Sequence, residues 1–217
     1  GDDYISPYDF IVDLETITKN DDVIIPCSSG SAFTLTMSLY KPKYGQRMLT
    51  NKQLASMGYG LSGAIGAAIA KRDKRTILIE GDGGFAQNLQ EVGTAKINEL
   101  NLKIFIFDDQ GHASIRMTQI NYFGGKYLGC DTDSGLGLPN WLKLFDAWDL
   151  PVIEINKGFV NNKEFLERFN ADGVAVFVVK IDPKQTYFPK ISSRVTSSGS
   201  MESNPIDVMS PEIDLEQ

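Results

Sequence analysis

Thr76-Ile77-Leu78-Ile79-Glu80, then Gly81-Asp82-Gly83-Gly84, and later Lys103-Ile104-Phe105-Ile106-Phe107 closed by Asp108-Asp109-Gln110-Gly111, form the stretch that decides the fold. Each apolar run is short, rich in β-branched or aromatic residues and bounded by turn residues, the pattern of a strand buried on both faces. The interval from about Ala86 to Leu100 reads as a helix. The whole is therefore a strand–helix–strand crossover with parallel strands, and such units are right-handed almost without exception. Upstream, Ser6-Pro7 opens a helix over Tyr8 to Thr18, with Pro at the first helical position. Val23 to Pro26 is a short strand, Ala32 to Tyr40 a helix-like stretch that precedes Arg47 to Leu49, and Met57 to Ala70 a glycine- and alanine-rich segment. Downstream come a Gly- and Asp-rich loop (Phe123 to Leu138), a helix entered through Pro139, a strand Val152 to Ile155, a helix Asn161 to Phe169 and a strand Val174 to Val179. The rhythm predicts an α/β fold, a single domain with a mainly parallel sheet and helices on both faces. That domain is assigned to residues 1–185. Residues 186–217, with prolines and serine clusters but no sustained periodicity, read as an extended tail that packs on the domain or is partly disordered.

The 217 residues are 42% hydrophobic and 23% charged, with no apolar run near the roughly 18 residues of a membrane span, so neither a disordered chain nor a membrane span is expected. With 21 Lys+Arg against 28 Asp+Glu the net charge is −7, which repels nucleic acid and anionic membranes. Cys27 and Cys130 lie far apart and read as free thiols of a reducing compartment. No signal-peptide pattern follows the acidic Gly1-Asp2-Asp3, so the expected location is cytoplasmic. Gly1, where an initiator Met would stand, reads as a processing scar or a cut within a longer protein.

In an open parallel sheet, ligands bind beyond the carboxyl ends of the strands. Asp82 and Asp109 each follow such an end and stand 27 residues apart, one crossover. If their strands are neighbours at about 4.8 Å, the two carboxylates converge on one cation. With a backbone carbonyl, that donor set suits Mg²⁺ or Ca²⁺ rather than zinc. Gly83-Gly84, opening a helix, lets backbone amides face an anion. Acid and anion site being adjacent, a metal-bridged phosphate ligand is expected. Taken alone, Gly81 to Gly84 is equally readable as a turn. Among the other glycines, Gly63 and Gly66 fit close helix packing, whereas Gly58 and Gly60 fit approach to a ligand.

Gly81-Asp82-Gly83, 24 intervening residues, then Asp108-Asp109 is similar to the GDG-to-NN motif of thiamine-diphosphate enzymes. Together with MGYGLSGAIGAAIA (57–70), GDGGFAQNLQE (81–91) and DDQGHASIRMTQ (108–119), the chain from about Asp22 to Val179 resembles the diphosphate-binding C-terminal domain of the acetolactate synthase and 2-keto acid decarboxylase type. The resemblance implies thiamine diphosphate and Mg²⁺ as cofactors. It implies Asp82, Asp109 and the Gly111 carbonyl as the metal ligands, and Gly83, Gly84, His112 and Ala113, with upstream Gly30-Ser31, around the diphosphate. Met57 would wedge the bent cofactor and the Ala55 carbonyl would accept from its aminopyrimidine. In that family the cofactor carries the chemistry on a small 2-keto acid, and a glutamate on the pyrimidine-binding domain of a second subunit activates it. The resemblance thus implies a homodimer, assigns no catalytic side chain to this chain, and leaves it inactive alone. The aspartate pair replaces the family's Asn-Asn, which adds negative charge beside an anionic ligand. On that ground Asp109→Asn is expected to tighten cofactor binding in Mg²⁺.

His112, the only histidine, invites an acid–base role but fits contact with phosphate or solvent. Trp141, Phe145 and Trp148 have helical spacing and read as core. Glu91 and Glu99 read as solvated helix charges, and Arg116 as either a contact for an acidic substrate or a surface ion pair. Two other functions share these residues: a stand-alone module binding thiamine diphosphate or another phosphorylated ligand, and a metal-dependent phosphoryl-transfer enzyme with Asp82 or Asp109 as nucleophile and no P-loop.

Overall fold

The structure, a computed structural model, describes residues 3–205 and 207–211. Gly1-Asp2 and, in the tail 186–217, Ile206 and residues 212–217 lie outside the described residues. Two compact units divide the chain after Lys184. The first is a six-stranded, all-parallel sheet whose strands are β1 (Val23–Ile25), β2 (Arg47–Met48), β3 (Thr76–Gly81), β4 (Leu102–Asp108), β5 (Val152–Ile155) and β6 (Ala175–Lys180), in the spatial order β2-β1-β3-β4-β6-β5. The unit from Gln185 holds two small antiparallel pairs: β7 (Lys190–Ile191) with β10 (Met209–Ser210), and β8 (Ser193–Val195) with β9 (Met201–Ser203). No helix among the described residues is long and apolar enough to cross a membrane.

The central strands are buried without a break because both faces of the sheet are covered. Alternate residues go to opposite sides. Leu78, Ile104, Ile106, Val176 and Val178 pack with α3 (Tyr59–Ala70), α5 (Val92–Ile97) and α7 (Trp141–Ala147). Phe105, Phe107 and Phe177 face the other way, where Phe10 of α1 (Pro7–Ile17) stands 5.3 and 5.2 Å from the rings of Phe105 and Phe107. Phe165 of α8 (Lys163–Asn170) closes on Phe177 at 4.9 Å. Trp141 and Phe145 are core, as their spacing predicts.

At the amino-terminal edge of the sheet, Asp22 and Arg75 form an ion pair at 2.6 Å with both side chains buried, and the guanidinium lies 4.0 Å over the Phe169 ring. Lys103, fully buried nearby, donates to the Gly173 carbonyl at 2.5 Å.

Two local expectations change. The single helix expected over 86–100 is instead one turn, α4 (Asp82–Phe85), a 3₁₀ turn (Leu89–Glu91) and the short α5. Asn88 interrupts it: at φ −144° it leaves helical geometry, and its side-chain amide donates to the Gly58 carbonyl at 2.8 Å and to Ser62 Oγ at 2.6 Å. That bond ties the first turn of α3 to the loop after β3. The second change is a helix not anticipated after the aspartate pair, α6 (Ala113–Tyr122).

Candidate functional site

The chain leaves β1 for β2 on one side and returns to β3 on the other, so the order reverses between β1 and β3. Crevices open at such points beyond the carboxyl ends of the strands. A cavity of about 210 Å³ lies there, bounded by the turn after β1 (Ser29 to Ala32), the end of β3 with Gly83 and Gly84, Met57, and the loop after β4 from Asp109 to Ile115. A larger hollow of about 770 Å³ runs along edge strand β5, between Leu142 and Phe165, and contains none of these groups.

Helices begin at this crevice: α2 (Gly30–Leu39), α4 and α6. None has a side-chain hydrogen bond from its N-cap residue. Elsewhere in the fold α1, α7 and α8 are capped by Ser6, Asn140 and Asn162. The first N–H groups of a helix need an acceptor, and the first-turn residues Gly30, Ser31 and Ala32 of α2 and Ala113 of α6, helices each 10 residues long, line the cavity. Amides and helix dipoles so arranged favour an anion.

Beside them lies a concentration of acid. β3 and β4 are adjacent and in parallel register from Thr76 opposite Leu102 to Gly81 opposite Phe107, so Asp82 and the pair Asp108-Asp109 emerge side by side. Asp82 is fully buried; Oδ1 accepts the Gly83 amide at 2.6 Å and Oδ2 the Gly111 amide at 3.0 Å. Its pKa is raised well above the ordinary value, by burial first and then by the charges of Asp109 and Asp108. Asp109 is raised by burial against the opposing pull of Arg116, and Asp108 by burial also. Three acids held this close carry more negative charge than the one guanidinium paired with them, and a divalent ion is the natural neutraliser of the excess. Among the described residues no three His, Cys, Asp or Glu side chains form a metal cage. A hard ion here needs a backbone carbonyl and ligand oxygens to complete its shell, which is how Mg²⁺ is commonly held. The residues present fit both groups, a divalent cation and the phosphate oxygens it would bridge. Asp82, whose two oxygens accept backbone amides and are shielded from solvent, is poorly placed to be the nucleophile of a phosphoryl-transfer enzyme, whereas Asp109 lines the cavity.

Of the residues singled out from sequence, Gly30, Ser31, Met57, Gly83, Gly84, Asp109, Gly111, His112 and Ala113 line the cavity, and Asp82 sits beneath it. Ala55 does not line it; it occupies the exposed loop before Met57 at φ +49°. His112 packs so closely on Gly83 that a Cβ there would fall 2.2 Å from His112 Nδ1. Its pKa is lowered by burial and by the Arg116 charge.

Two contributors are unassigned in the sequence, and a third, Arg116, stands between two readings there. Glu80, buried at the end of β3, also lines the cavity, and burial raises its pKa to about 8 against the pull of the Leu61 and Gly60 amides. A Cβ on Gly60 would lie 2.2 Å from its Oε2, and one on Gly84 2.8 Å from its Oε1. Those two glycines are therefore the clearance for one carboxyl wedged between α3 and α4. A charged residue ending an apolar strand was the available signal. Asn88, the tie described above, is the second. Arg116 is the third, and its ion pair is not at the surface: it is buried and pairs with Asp109 at 3.2 Å.

Comparison with known proteins shows the family. Residues 28–179 match the family model described as "Thiamine pyrophosphate enzyme, C-terminal TPP binding domain". The chain is 31% identical over 170 residues to a probable acetolactate synthase large subunit of Methanococcus aeolicus, covering 78% of this chain and 28% of that protein. It is 27% identical over 172 residues to the acetolactate synthase isozyme 1 large subunit of Escherichia coli K12, covering 79% and 30%. The chain thus spans about 30% of the length of these relatives. In fold it resembles a thiamine diphosphate-dependent 4-hydroxybenzoylformate decarboxylase of Rhodococcus jostii RHA1, with a TM-score of 0.69 and 18% identity over 84% of this chain and 33% of that one.

Proposed function

The chain belongs to the thiamine pyrophosphate enzyme family as its C-terminal TPP-binding domain, and from that premise we propose that the crevice holds the diphosphate of thiamine diphosphate through Mg²⁺ in an acetolactate synthase-like or 2-keto acid decarboxylase-like enzyme. The carrying observation is the pairing of uncapped helix starts with buried acids: α2 and α6 begin at the cavity that Asp109 lines, and Asp82, at the end of the neighbouring strand, feels the charge of Asp109. Neither half makes chemical sense without the other.

When bound, thiamine diphosphate supplies the thiazolium that reacts with a 2-keto acid and stores the electrons released. The residues here bind and orient. Asp82, Asp109 and the carbonyl of Gly111 would hold the ion; Gly83, Gly84, Gly30, Ser31, His112 and Ala113 would surround the phosphates; Met57, half-exposed at the rim, would set the cofactor's bend. The Ala55 carbonyl is proposed for the aminopyrimidine. No side chain of this chain is assigned to the proton transfer, which is proposed to come from the pyrimidine-binding domain of a second subunit. Assembly as a homodimer in the cytoplasm accompanies that reading.

Calorimetry of thiamine diphosphate binding to the full-length protein, with Mg²⁺ and after chelation, tests the proposal. Metal-dependent binding followed by turnover of one of several 2-keto acids is the expected result. Binding indifferent to the metal would overturn the assignment of the acids, and binding without turnover would leave a pure binding module.

A further inference from the structure

Arg116 is the residue around which the loop after β4 is built. It lies in the first turn of α6, is 5% exposed, and converges with Asp109 from the far side of the cavity wall. Its Nη2 meets Asp109 Oδ1 at 3.2 Å and the Asp109 carbonyl at 2.7 Å. Nη2 also reaches the Pro183 carbonyl at 3.2 Å, and Nη1 reaches those of Gln110 at 3.2 Å and Cys130 at 3.4 Å. Four of these five acceptors are neutral carbonyls, so the only formal charge opposing the guanidinium in its hydrogen-bond shell is the Asp109 carboxylate.

The charge count at the crevice makes that pairing consequential. Asp82, Asp108 and Asp109 bring three formal negative charges to two adjacent strand ends, and a divalent cation cancels two. The remaining charge would face an incoming diphosphate in a poorly solvated cleft, where like charges repel strongly. One buried guanidinium removes it.

We infer that Arg116 is the counter-charge that lets an aspartate serve at position 109, so that Asp109 and Arg116 work as one neutral ligand unit beside the diphosphate. The inference rests on the proposed Mg²⁺–diphosphate reading and goes beyond it. It makes Arg116 a positioning residue, acting through Asp109, and it reverses the expectation from sequence for Asp109→Asn. With Arg116 in place, that substitution strands a buried cation instead of relieving repulsion.

The test is the affinity of the full-length protein for thiamine diphosphate in saturating Mg²⁺, measured by calorimetry on the parent, Arg116→Met, Asp109→Asn, the double variant and Arg116→Lys. Leaving one member of a buried pair uncompensated is expected to weaken binding by about 100-fold in each of the Met and Asn variants. The double variant, neutral again, is expected to recover to within roughly threefold of the parent, and Arg116→Lys, which keeps charge but loses the fork, to retain most of the affinity. A double variant no better than Arg116→Met, or a folded Arg116→Lys as weak as Arg116→Met, would show that the fork and not the charge matters and overturn the inference. If Arg116→Met does not fold, Arg116→Lys and the double variant carry the same decision. Parent-like binding by Arg116→Met overturns this inference alone, whereas absence of metal-dependent binding by the parent overturns the underlying reading as well.

Discussion

The carboxylate of Asp82, at the end of β3, accepts the backbone amide of Gly111 from the loop after β4 at 3.0 Å, so one side chain ties together the two loops that close the crevice. The bond spans 29 residues of sequence and is fully buried. It fixes where the Gly111 peptide lies relative to the acids.

Asp82→Ala therefore removes a metal ligand and the tether of its neighbour in one change. Metal-dependent thiamine diphosphate affinity is expected to fall by about 100-fold or more. Calorimetry in Mg²⁺ measures this, and an affinity within a few-fold of the parent would show that Asp82 holds no ion.

Gly111 tests the backbone. Its φ is +142°, and a Cβ there would stand 2.2 Å from the Cys130 carbonyl oxygen. Neither the torsion nor the backbone oxygen can give way cheaply, so Gly111→Ala is expected to cost on the order of 3 kcal/mol in urea denaturation. Gly83→Ala is the contrast: its clash is with the His112 ring, which is half-buried and can swing aside. That variant should keep nearly the parent's stability while losing cofactor affinity.

At the opposite end of the sheet, Arg75→Met would leave Asp22 charged, fully buried and without its cation. A loss of about 3–5 kcal/mol is expected. The double variant Asp22→Asn with Arg75→Met should recover a substantial part, and a double no more stable than the single would place the effect in lost packing on Phe169 rather than in the charge.

Lys103 gives a pH signature. Burial first, and the Arg75 charge second, bring its pKa down from 10.5 to about 8. Between pH 8 and 10.5 the unfolded chain holds this proton and the folded one does not, so this group makes stability rise with pH across that window. Below pH 8 the cost of the buried charge is fully present. Lys103→Met removes that cost, about 3 kcal/mol for this displacement, less about 1 kcal/mol for the hydrogen bond to Gly173. The variant should be more stable than the parent by about 2 kcal/mol at pH 7, and the gap should close toward pH 10.5. A gap that stays constant from pH 7 to 10 would assign the difference to packing.

Strands, their parallel pairing and the adjacency of Asp82 to Asp108-Asp109 were legible in the chain alone, because periodicity and turn chemistry are local and one crossover leaves little freedom of placement. The helix over 86–100 was misjudged for the opposite reason: nothing local in Asn88 announces that its amide will bond Gly58 and Ser62, 30 and 26 residues upstream. The same holds for Glu80, whose carboxyl is defined by glycines on two different helices, and for Arg116, whose acceptors extend to Pro183, 67 residues away. Sequence by itself determined the central strands, their parallel pairing and which end of the sheet carries the acids. Tertiary structure decided which charges meet, because burial and long-range partners, not residue type, set the electrostatic state of Asp109 and Arg116.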